Sequence, residues 1–397
     1  MENQNSVAYV GKVGVPTQIP GADNIELVSV NGWMAITKKG EYKEGDLVIV
    51  TTTDAVIPKE LSDRMGVTGY LRKGQRVRTV KLRGVYSECL ILPLSVLEGE
   101  DEMKIGISKQ PWGDQLQLGP YDNALVIKEG VDVMDTLKIY KYEPPVKMVD
   151  LGSGKKVRYH QNPNFHIYYK FPNMKNVPNM FNEEDEVVIT RKIHGTNARY
   201  GIVRKNKITF WDRVKRLFGD KWAYFEFVVG SHNVEKGSDS QGFYSGNVWY
   251  DIDEKYGIRK KLWDHVKDTY YSKDLTQGFT IYGEIYGKGI QKNYEYGLEV
   301  IKFVGFDVEI DGVYQPHLEE TVHFDCLELP SVEVLYKGTW NKEEQDKHVF
   351  NNFIEGTKVP HEGVVVKSVT GERSKVAKII NPDYSIFSEK HNVGDSH

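Results

Sequence analysis

The most chemically suggestive segment of the sequence is a lysine that follows an apolar run and precedes a glycine. Residues 190–197 read TRKIHGTN and come directly after the apolar residues 187–189. Gly195 lets the backbone turn sharply or approach a ligand closely. A neutral lysine amine is a nucleophile, but its ordinary pKa of about 10.4 must fall by about three units at neutral pH. Lys192 is therefore a candidate nucleophile or, equally, an ordinary exposed lysine in a turn.

Charged and aromatic residues recur in four later segments that read as strands. Glu284 lies in an apolar, glycine-flanked run, where a charge is costly unless it is paired or metal-bound. Phe306 precedes an aspartate, and Glu362 precedes a glycine and an apolar run. Lys375 and Lys378 are three residues apart, so on a regular strand they point to opposite faces. Each feature alone is also compatible with an edge-strand carboxylate, a core phenylalanine or a surface lysine.

The composition limits the classes of protein that this chain can be. At 397 residues, with 40% hydrophobic content and 24 tyrosines, it can form two or three folded domains. Its apolar runs are shorter than the about 18 residues of a membrane span, and the first residues lack a signal-peptide pattern. The two cysteines, Cys89 and Cys326, exclude a disulfide framework and a four-cysteine zinc site. We expect a cytoplasmic, monomeric protein without membrane contact.

The net charge of −4 argues against a generally basic nucleic-acid coat protein, yet two segments are locally basic. One is 70–84, and the other is 204–222, in which two phenylalanines and two tryptophans are interleaved with lysine and arginine. Such segments can neutralise phosphates and stack on bases. They can also be solvated faces that acidic runs balance elsewhere.

Two regions with different patterns follow one another along the chain. Residues 7–142 read as short strands with glycine-rich turns, which is typical of a small barrel or sandwich. Proline and glycine are frequent in 143–185, which we interpret as the connection. The remainder mixes predicted strands, including 207–211, with helices at 256–271 and 341–355. Asp311 and Gly312 predict a hairpin turn. The order of elements favours an α+β domain of antiparallel sheets with helices.

Taken in order, K-x-H-G, Y-G-E-I-Y-G, F-D, E-G-V-V-V-K and a lysine-bearing strand resemble the covalent nucleotidyltransferases. That superfamily comprises polynucleotide ligases and RNA capping enzymes. The segments KIHGTN at 192–197 and GEIYGKGIQKN at 283–293 resemble those of RNA ligases, whereas DNA ligases usually carry aspartate at the position of His194. The resemblance covers about residues 185–385.

The N-terminal region carries a second resemblance. The segments IPGAD at 19–23, GDLVI at 45–49 and LRGVYSE at 82–88 resemble the OB-fold tRNA-binding modules of some aminoacyl-tRNA synthetases. One branch of RNA ligases carries such a domain first, whereas DNA ligases and capping enzymes place theirs last. The resemblance implies an all-β OB-fold RNA-binding domain at 1–145, a linker and the start of the second domain at 146–185, and a nucleotidyltransferase domain at 186–397.

The resemblance implies an ATP-dependent RNA ligase. It would join 3′-OH and 5′-phosphate ends of RNA through a lysyl-AMP and an adenylylated 5′-phosphate, in nick sealing or RNA repair. Lys192 would be the nucleophile, Lys378 would contact the α-phosphate, and Glu284 and Glu362 would be catalytic and bind Mg²⁺ or Mn²⁺. The other implied nucleotide-binding residues are Arg191, Ile193, His194, Gly195, Asn197, Phe306 and Lys375.

Some assignments remain open at this stage. The donor 5′-phosphate would be held by His232 or Arg213. The chain could also be a DNA ligase or a capping guanylyltransferase, or a non-catalytic RNA-binding protein that acts through its OB-fold. RNA is the partner that the resemblance to RNA ligases implies.

Overall fold

The computed structural model describes residues 6–72, 74–98, 105–110, 113–118, 125–142, 162–236, 247–270 and 275–393. The chain forms two compact units, Met1–Pro145 with Pro172–Met180, and Val146–Phe171 with Phe181–His397. Part of the predicted connection, 143–161, lies outside the described residues. Among the helices of the described ranges, none has the length and apolar character that crossing a membrane requires.

The first unit consists of short antiparallel strands, as the sequence predicts, and of two short helices that the sequence did not predict. Its elements are β1 (Ala8–Lys12), β2 (Thr17–Gln18), β3 (Ile25–Val30), β4 (Trp33–Lys38), β5 (Leu47–Thr52), β6 (Ala55–Val56), α1 (Lys59–Arg64), β7 (Val80–Leu82), β8 (Val85–Ser87), β9 (Cys89–Pro93), β10 (Ile105–Gln110), β11 (Gly113–Leu118), β12 (Leu125–Val126), α2 (Met134–Leu137) and β13 (Tyr140–Lys141). Strand β5 pairs with β1 on one side and β9 on the other, and its apolar residues Val48, Ile49 and Val50 are fully buried.

The second unit combines two antiparallel sheets with helices. Its elements are β14 (Glu186–Lys192), β15 (Thr196–Arg204), α3 (Phe210–Leu217), β16 (Phe225–Gly230), α4 (Val248–Tyr256), α5 (Ile258–Thr269), β17 (Gly278–Gly287), β18 (Ile301–Ile310), β19 (Val313–Tyr314), α6 (His317–Cys326), β20 (Val334–Thr339), α7 (Lys342–Val349), β21 (Gly363–Ser368), β22 (Val376–Ile380) and α8 (Pro382–His391).

The five-stranded sheet, in the order β16-β15-β17-β18-β19, has one apolar and one polar face. Because side chains alternate along a strand, Tyr200, Ile281 and Phe303 share the apolar face. That face forms a buried core with residues of α4, α5 and α6, which supply Ile252, Leu262 and Phe324 among others. The opposite face carries Arg199, Glu284 and Asp307.

The four-stranded sheet, in the order β20-β14-β21-β22, carries the lysine-bearing segments. Lys367 on β21 reaches the five-stranded sheet, since its Nζ donates to Asp307 Oδ1 on β18 at 3.1 Å. The polar face of the five-stranded sheet is therefore directed at the face of the four-stranded sheet that carries Lys367.

Several local predictions can be compared directly with the structure. The turn at Asp311 and Gly312 is confirmed, with φ of 51° and 83° between β18 and β19. Helix α5 confirms the first predicted helix, whereas the second, α7, ends at Val349 rather than 355. The strand predicted at 207–211 is wrong. Helix α3 begins there instead, because the Thr209 hydroxyl accepts from the Asp212 backbone N–H and the Asp212 carboxylate accepts from the Thr209 backbone N–H.

Candidate active site

Lys192 is the last residue of β14, and residues 193–195 turn the chain into β15. Its Nζ donates to Glu362 Oε1 at 2.6 Å, which joins two residues that are 170 positions apart in the chain. Glu362 directly precedes β21, and β21 pairs with β14 so that Gly363 lies opposite Lys192. The strand pairing therefore brings the candidate nucleophile and a carboxylate together at one end of the sheet.

The Glu362 carboxylate is buried and ionised. Burial by itself would raise its pKa, but the ammonium of Lys192 and the nearby His194 ring outweigh burial and lower the pKa to about 2. Its second oxygen, Oε2, lies 3.7 Å from His194 Nδ1 and has no hydrogen-bond partner among the described residues. A buried carboxylate oxygen without a donor is available to a cation.

His194 is held by two tyrosines and is only 4% exposed. The Tyr296 hydroxyl accepts from the His194 backbone N–H at 2.7 Å and donates to the His194 carbonyl at 3.1 Å. The Tyr384 hydroxyl, on α8, lies 3.1 Å from the ring Nδ1. The backbone and the ring of His194 are thus held by two tyrosines that lie far from it in the chain.

Gly195 is required by the close approach of β17. A Cβ at this position would lie 2.3 Å from the Ile285 carbonyl oxygen and 2.8 Å from Glu284 Cγ. The amide of Gln291 donates to the Gly195 carbonyl. Asn197 pairs with Glu284 across β15 and β17, so the two side chains share a face. Gly195 therefore permits β17 to place Glu284 beside the turn that follows Lys192.

The register of the four-stranded sheet distinguishes Lys378 from Lys375. Val365 lies opposite both Thr190 and Lys378, so Lys378 shares a sheet face with Thr190 and Lys192. From the strand geometry the Cα atoms of Lys192 and Lys378 are about 12 Å apart. Lys375 precedes β22, and its Nζ donates to Asp185 Oδ1 at 2.5 Å, at the opposite end of β14 from Lys192.

Phe306 lies at a bulge in β18. Asp307 lies opposite Tyr282 and Gly305 lies opposite Gly283, so Phe306 has no partner on β17. A bulge redirects side chains. The Phe306 ring lies 5.0 Å from that of Tyr168, and its carbonyl accepts from Lys367 Nζ at 2.9 Å.

A buried ionic network supports this bulge. Lys367 Nζ donates to Glu320 Oε2 at 2.6 Å as well as to Asp307, and Arg373 donates to Asp307 at 3.2 Å. Burial would raise the pKa of Asp307, but Lys367 and then Arg373 keep it below its ordinary value, so the carboxylate is charged. Burial and the neighbouring Asp307 raise the pKa of Glu320.

Comparison with known proteins identifies both units. A model described as an OB-fold domain matches residues 7–94, and the RNA ligase family model matches residues 185–380. The second unit belongs to the RNA ligase family. Comparison with curated protein sequences returns no match. The predicted fold class is confirmed: an N-terminal OB-fold precedes an α+β RNA ligase unit of antiparallel sheets, and the chain is an enzyme that joins RNA.

Solved structures of Naegleria gruberi RNA ligase share this fold. The structure with PPi has 22% sequence identity and a TM-score of 0.65, and the match covers 98% of this chain and 99% of that chain. A variant with AMP and Mn has 21% identity, a TM-score of 0.64 and coverage of 98% and 99%. Another variant, with ATP and Mn, has 22% identity, a TM-score of 0.64 and the same coverage.

Not every predicted residue of the RNA ligase unit lies near Lys192. The Arg191 side chain points to the opposite sheet face, where its Nε donates to Glu333 at 3.1 Å. Ile193 is half-buried in the turn between Lys192 and His194. His232 follows β16 at the end where Gly230 pairs with Arg199.

Arg213 lies on α3, beyond the other end of β15. Seven residues of extended strand separate Asn197 from Arg204, which is about 23 Å. Of the two candidates for the donor phosphate, His232 therefore lies at the end of the sheet that carries Asn197, and Arg213 does not.

Sequence reasoning did not identify four residues that surround the site in the RNA ligase unit. They are Gln291, Tyr296, Lys367 and Tyr384. Lys367 was visible as a lysine at the end of an apolar strand, where a charge requires partners. The two tyrosines lie in polar, tyrosine-containing segments that give no signal of their distant contact with His194.

The donor set suits a hard divalent cation. No cluster of three or more histidine, cysteine, aspartate or glutamate residues with metal-binding geometry occurs in the described ranges. Mg²⁺ and Mn²⁺ are commonly bound by one or two carboxylates together with substrate phosphates and water. The free Oε2 of Glu362 fits that pattern, and Glu284 adds a second carboxylate at the neighbouring sheet.

Proposed function

We propose that this RNA ligase uses ATP and a divalent metal ion to join 3′-OH and 5′-phosphate RNA ends through a lysyl-AMP on Lys192. The observation that carries the proposal is the pairing of Lys192 with the buried Glu362, with Lys378 on the same sheet face. The ATP and AMP bound to Naegleria gruberi RNA ligase variants of the same fold support the choice of nucleotide.

In the first step, the neutral amine of Lys192 attacks the α-phosphorus of ATP. A P–N bond forms while the bond from phosphorus to the bridging oxygen breaks, and pyrophosphate leaves with that electron pair. Glu362 accepts a hydrogen bond from the Lys192 amine at 2.6 Å, and an ammonium must release a proton to solvent before it can attack. Glu362 thus keeps Lys192 in position.

The phosphoryl oxygens gain negative charge in each transfer, and positive groups aimed at them lower the barrier. Lys378 supplies a cation from the neighbouring part of the same sheet face. Glu362 and Glu284 would hold Mg²⁺ or Mn²⁺, which when bound neutralises phosphate charge and competes with Lys192 for the Glu362 carboxylate. Phe306 offers an aromatic face for adenine, and His194 and Asn197 shape the pocket beside the nucleophile.

Two further transfers complete the reaction. The RNA 5′-phosphate oxygen attacks the lysyl-AMP phosphorus, which breaks the P–N bond and returns the amine. The RNA 3′-hydroxyl then attacks the activated 5′-phosphate, and AMP leaves as the phosphodiester forms. His232 is the better placed of the two donor-phosphate candidates, because it lies at the end of the sheet that carries Asn197.

The test is transfer of AMP to the protein. Purified protein is incubated with ATP and Mg²⁺ or Mn²⁺, and intact-protein and peptide mass spectrometry locate the adduct. We expect one AMP on Lys192 and none on a Lys192→Ala variant. Adduct formation at undiminished level in Lys192→Ala would refute the assignment.

The substrate is tested with a panel of nicked duplexes. RNA or DNA is placed on each side of the nick, and sealing is followed with ATP or with GTP. We expect sealing with ATP when RNA lies on both sides of the nick. Sealing of an all-DNA nick at the same rate would point to a DNA ligase, and labelling by GTP would point to a capping enzyme.

A further inference from the structure

Helix α3 presents an apolar face that the described residues do not cover. Trp211 is 69% exposed, Leu217 86% and Phe218 88%, and Phe210 lies beside Trp211 with 72% exposure. These positions share one side of the helix because they follow helical spacing. Clusters of exposed large apolar side chains mark interaction surfaces.

The helix is firmly anchored, although its apolar face is exposed. Asp212 lies on the inner side, where its carboxylate accepts from Lys205 Nζ at 2.6 Å and from the Thr209 backbone N–H at 2.8 Å. The same Lys205 amine donates to the Ala223 carbonyl at 2.8 Å. The strong interactions of Asp212 lower its pKa. The aromatic side chains are therefore held outward on a fixed element.

A basic cleft of about 480 Å³ adjoins α3. Lys215 of α3 lines it, and α5 contributes Lys267 and Trp263. The other charged and indole side chains of its wall are Lys205, Asp220, Trp222, Arg259, Lys260 and Asp264. Five cationic side chains meet two acidic ones in this wall. Lys205, Arg259 and Lys260 form ion pairs with Asp212, Asp253 and Asp264, so the positive charge offered to a ligand is concentrated at Lys215 and Lys267.

We propose that α3 and this cleft form an RNA-binding surface. It contacts the RNA duplex or strand at a distance from the break that is sealed. A positively charged groove beside aromatic side chains is the combination that binds nucleic-acid backbones and stacks on bases. The inference rests on the RNA ligase function and adds a second contact site for its RNA.

The location sets what this surface can do. Strand β15 separates α3 from Asn197 by about 23 Å, so the surface contacts RNA remote from Lys192. Formation of lysyl-AMP, which needs no RNA, is expected to be independent of it. Affinity for RNA and its dependence on salt are expected to change.

The experiment compares three double variants of the full chain. Lys215→Gln with Lys267→Gln removes two cations from the cleft, and Trp211→Ser with Phe218→Ser removes two exposed aromatic side chains. The matched control is Lys342→Gln with Lys347→Gln on α7. For each protein, AMP transfer to Lys192 without RNA and KM for a nicked RNA duplex are measured between 50 and 200 mM salt.

We expect AMP transfer within about twofold of wild type in all three. The cleft variant should raise KM about tenfold and reduce the slope of log KM against log salt by about two, one for each phosphate that a lysine no longer neutralises. The aromatic variant should raise KM about fivefold without changing the slope. The control should change neither quantity.

Unchanged KM and slope in both surface variants, with AMP transfer intact, would overturn the inference and leave the proposed function standing. An equal effect in the α7 control would also overturn it. The double variant Trp211→Ser with Phe218→Ser could instead lose binding to phosphatidylserine vesicles while its KM for RNA stays unchanged. That result would identify a membrane-binding face and overturn the inference. Absence of AMP transfer in the wild type would contradict the proposed function itself.

Discussion

The Tyr384 hydroxyl lies 3.1 Å from Nδ1 of His194, although 190 residues separate them in the chain. Tyr384 lies on α8, the last helix described, and His194 lies next to Glu362, the partner of Lys192. The C-terminal helix therefore reaches the turn that follows the candidate nucleophile. This interaction gives α8 a positioning role that can be separated from a purely structural one.

Removing the Tyr384 hydroxyl should slow AMP transfer. Tyr384→Phe loses a hydrogen bond worth about 1 kcal/mol, which corresponds to about a fivefold lower rate. The rate is measured by quenched-flow labelling with ATP across a range of pH, because a change of the pH profile separates a positioning role from a purely structural one. Ser385→Ala, on the same helix, is the control and should match wild type. A wild-type rate and profile in Tyr384→Phe would contradict the positioning role.

Lys375 and Lys378 should differ sharply in their effect on the rate of AMP transfer. Lys378→Ala removes a cation from the face of Lys192 and should reduce AMP transfer by about 10²-fold or more. Lys375→Ala breaks its ion pair with Asp185 at the far end of β14 and should reduce the rate less than about threefold. Single-turnover labelling with ATP measures both. A larger loss in Lys375→Ala than in Lys378→Ala would show that the register argument fails.

The pairing of Lys192 with Glu362 should appear as a coupling free energy. Lys192→Met alone leaves a buried carboxylate without its cation, and Glu362→Gln alone leaves the ammonium without its anion. The double variant removes both charges. We therefore expect its loss of unfolding free energy to be smaller than the sum of the two single losses by about 1–3 kcal/mol. Urea unfolding of the four proteins completes the cycle. Additive losses would mean that the pair is not formed in solution.

The network around Lys367 should be essential for stability. Lys367→Met leaves Asp307 buried with Arg373 as its remaining cation, and we expect a loss of about 3 kcal/mol in the free energy of unfolding. Lys337→Met, at an exposed position of β20 in the same sheet, is the matched control and should change stability by less than about 0.5 kcal/mol. Chemical denaturation measures both, and equal losses would refute the importance of the buried network.

A histidine pair between α5 and α6 should make the unit sensitive to acid. His265 Nε2 and His323 Nδ1 lie 2.9 Å apart. Burial, and then the neighbouring His265, lower the pKa of His323 to about 4, and burial lowers that of His265. A lowered histidine pKa means that the unfolded chain binds the proton more readily, so stability is lost as the pH falls from about 6.5 toward 4.

The His323→Gln variant tests this pH dependence. Near pH 5 the wild-type unfolded chain takes up about one proton at His323 that the folded chain does not, and glutamine abolishes this uptake. The slope of unfolding free energy against pH should therefore correspond to about one fewer proton taken up on unfolding than in the wild type. Urea denaturation between pH 7 and pH 4.5 gives the slope. An identical slope in the variant would show that His323 does not contribute.

The sequence by itself determined the chemistry and the order of the parts. Lys192 follows an apolar run and precedes a glycine, and Glu284 and Glu362 follow in a fixed order within strand patterns. These are local patterns, because strand alternation and glycine turns involve only neighbouring residues. They sufficed to predict the α+β unit with its antiparallel sheets and a small barrel or sandwich before it, and the resemblance to RNA ligases implied that this first part is an OB-fold.

The segment around α3 shows where local patterns were insufficient. Residues 208–211 contain a β-branched pair and two aromatics, which favour a strand. The capping interaction between Thr209 and Asp212, and the anchoring of Asp212 by Lys205, stabilise a helix instead. Propensity is a weak signal that such specific contacts override.

Only the tertiary structure decided which side chains meet. The spacing of Lys375 and Lys378 indicates opposite faces, but the face that looks toward Lys192 depends on the pairing of β22 with β21 and of β21 with β14. Register is set by contacts between distant segments and by burial of one sheet face, which no local pattern encodes. For the same reason the proximity of Tyr384 to His194 could be found only in three dimensions.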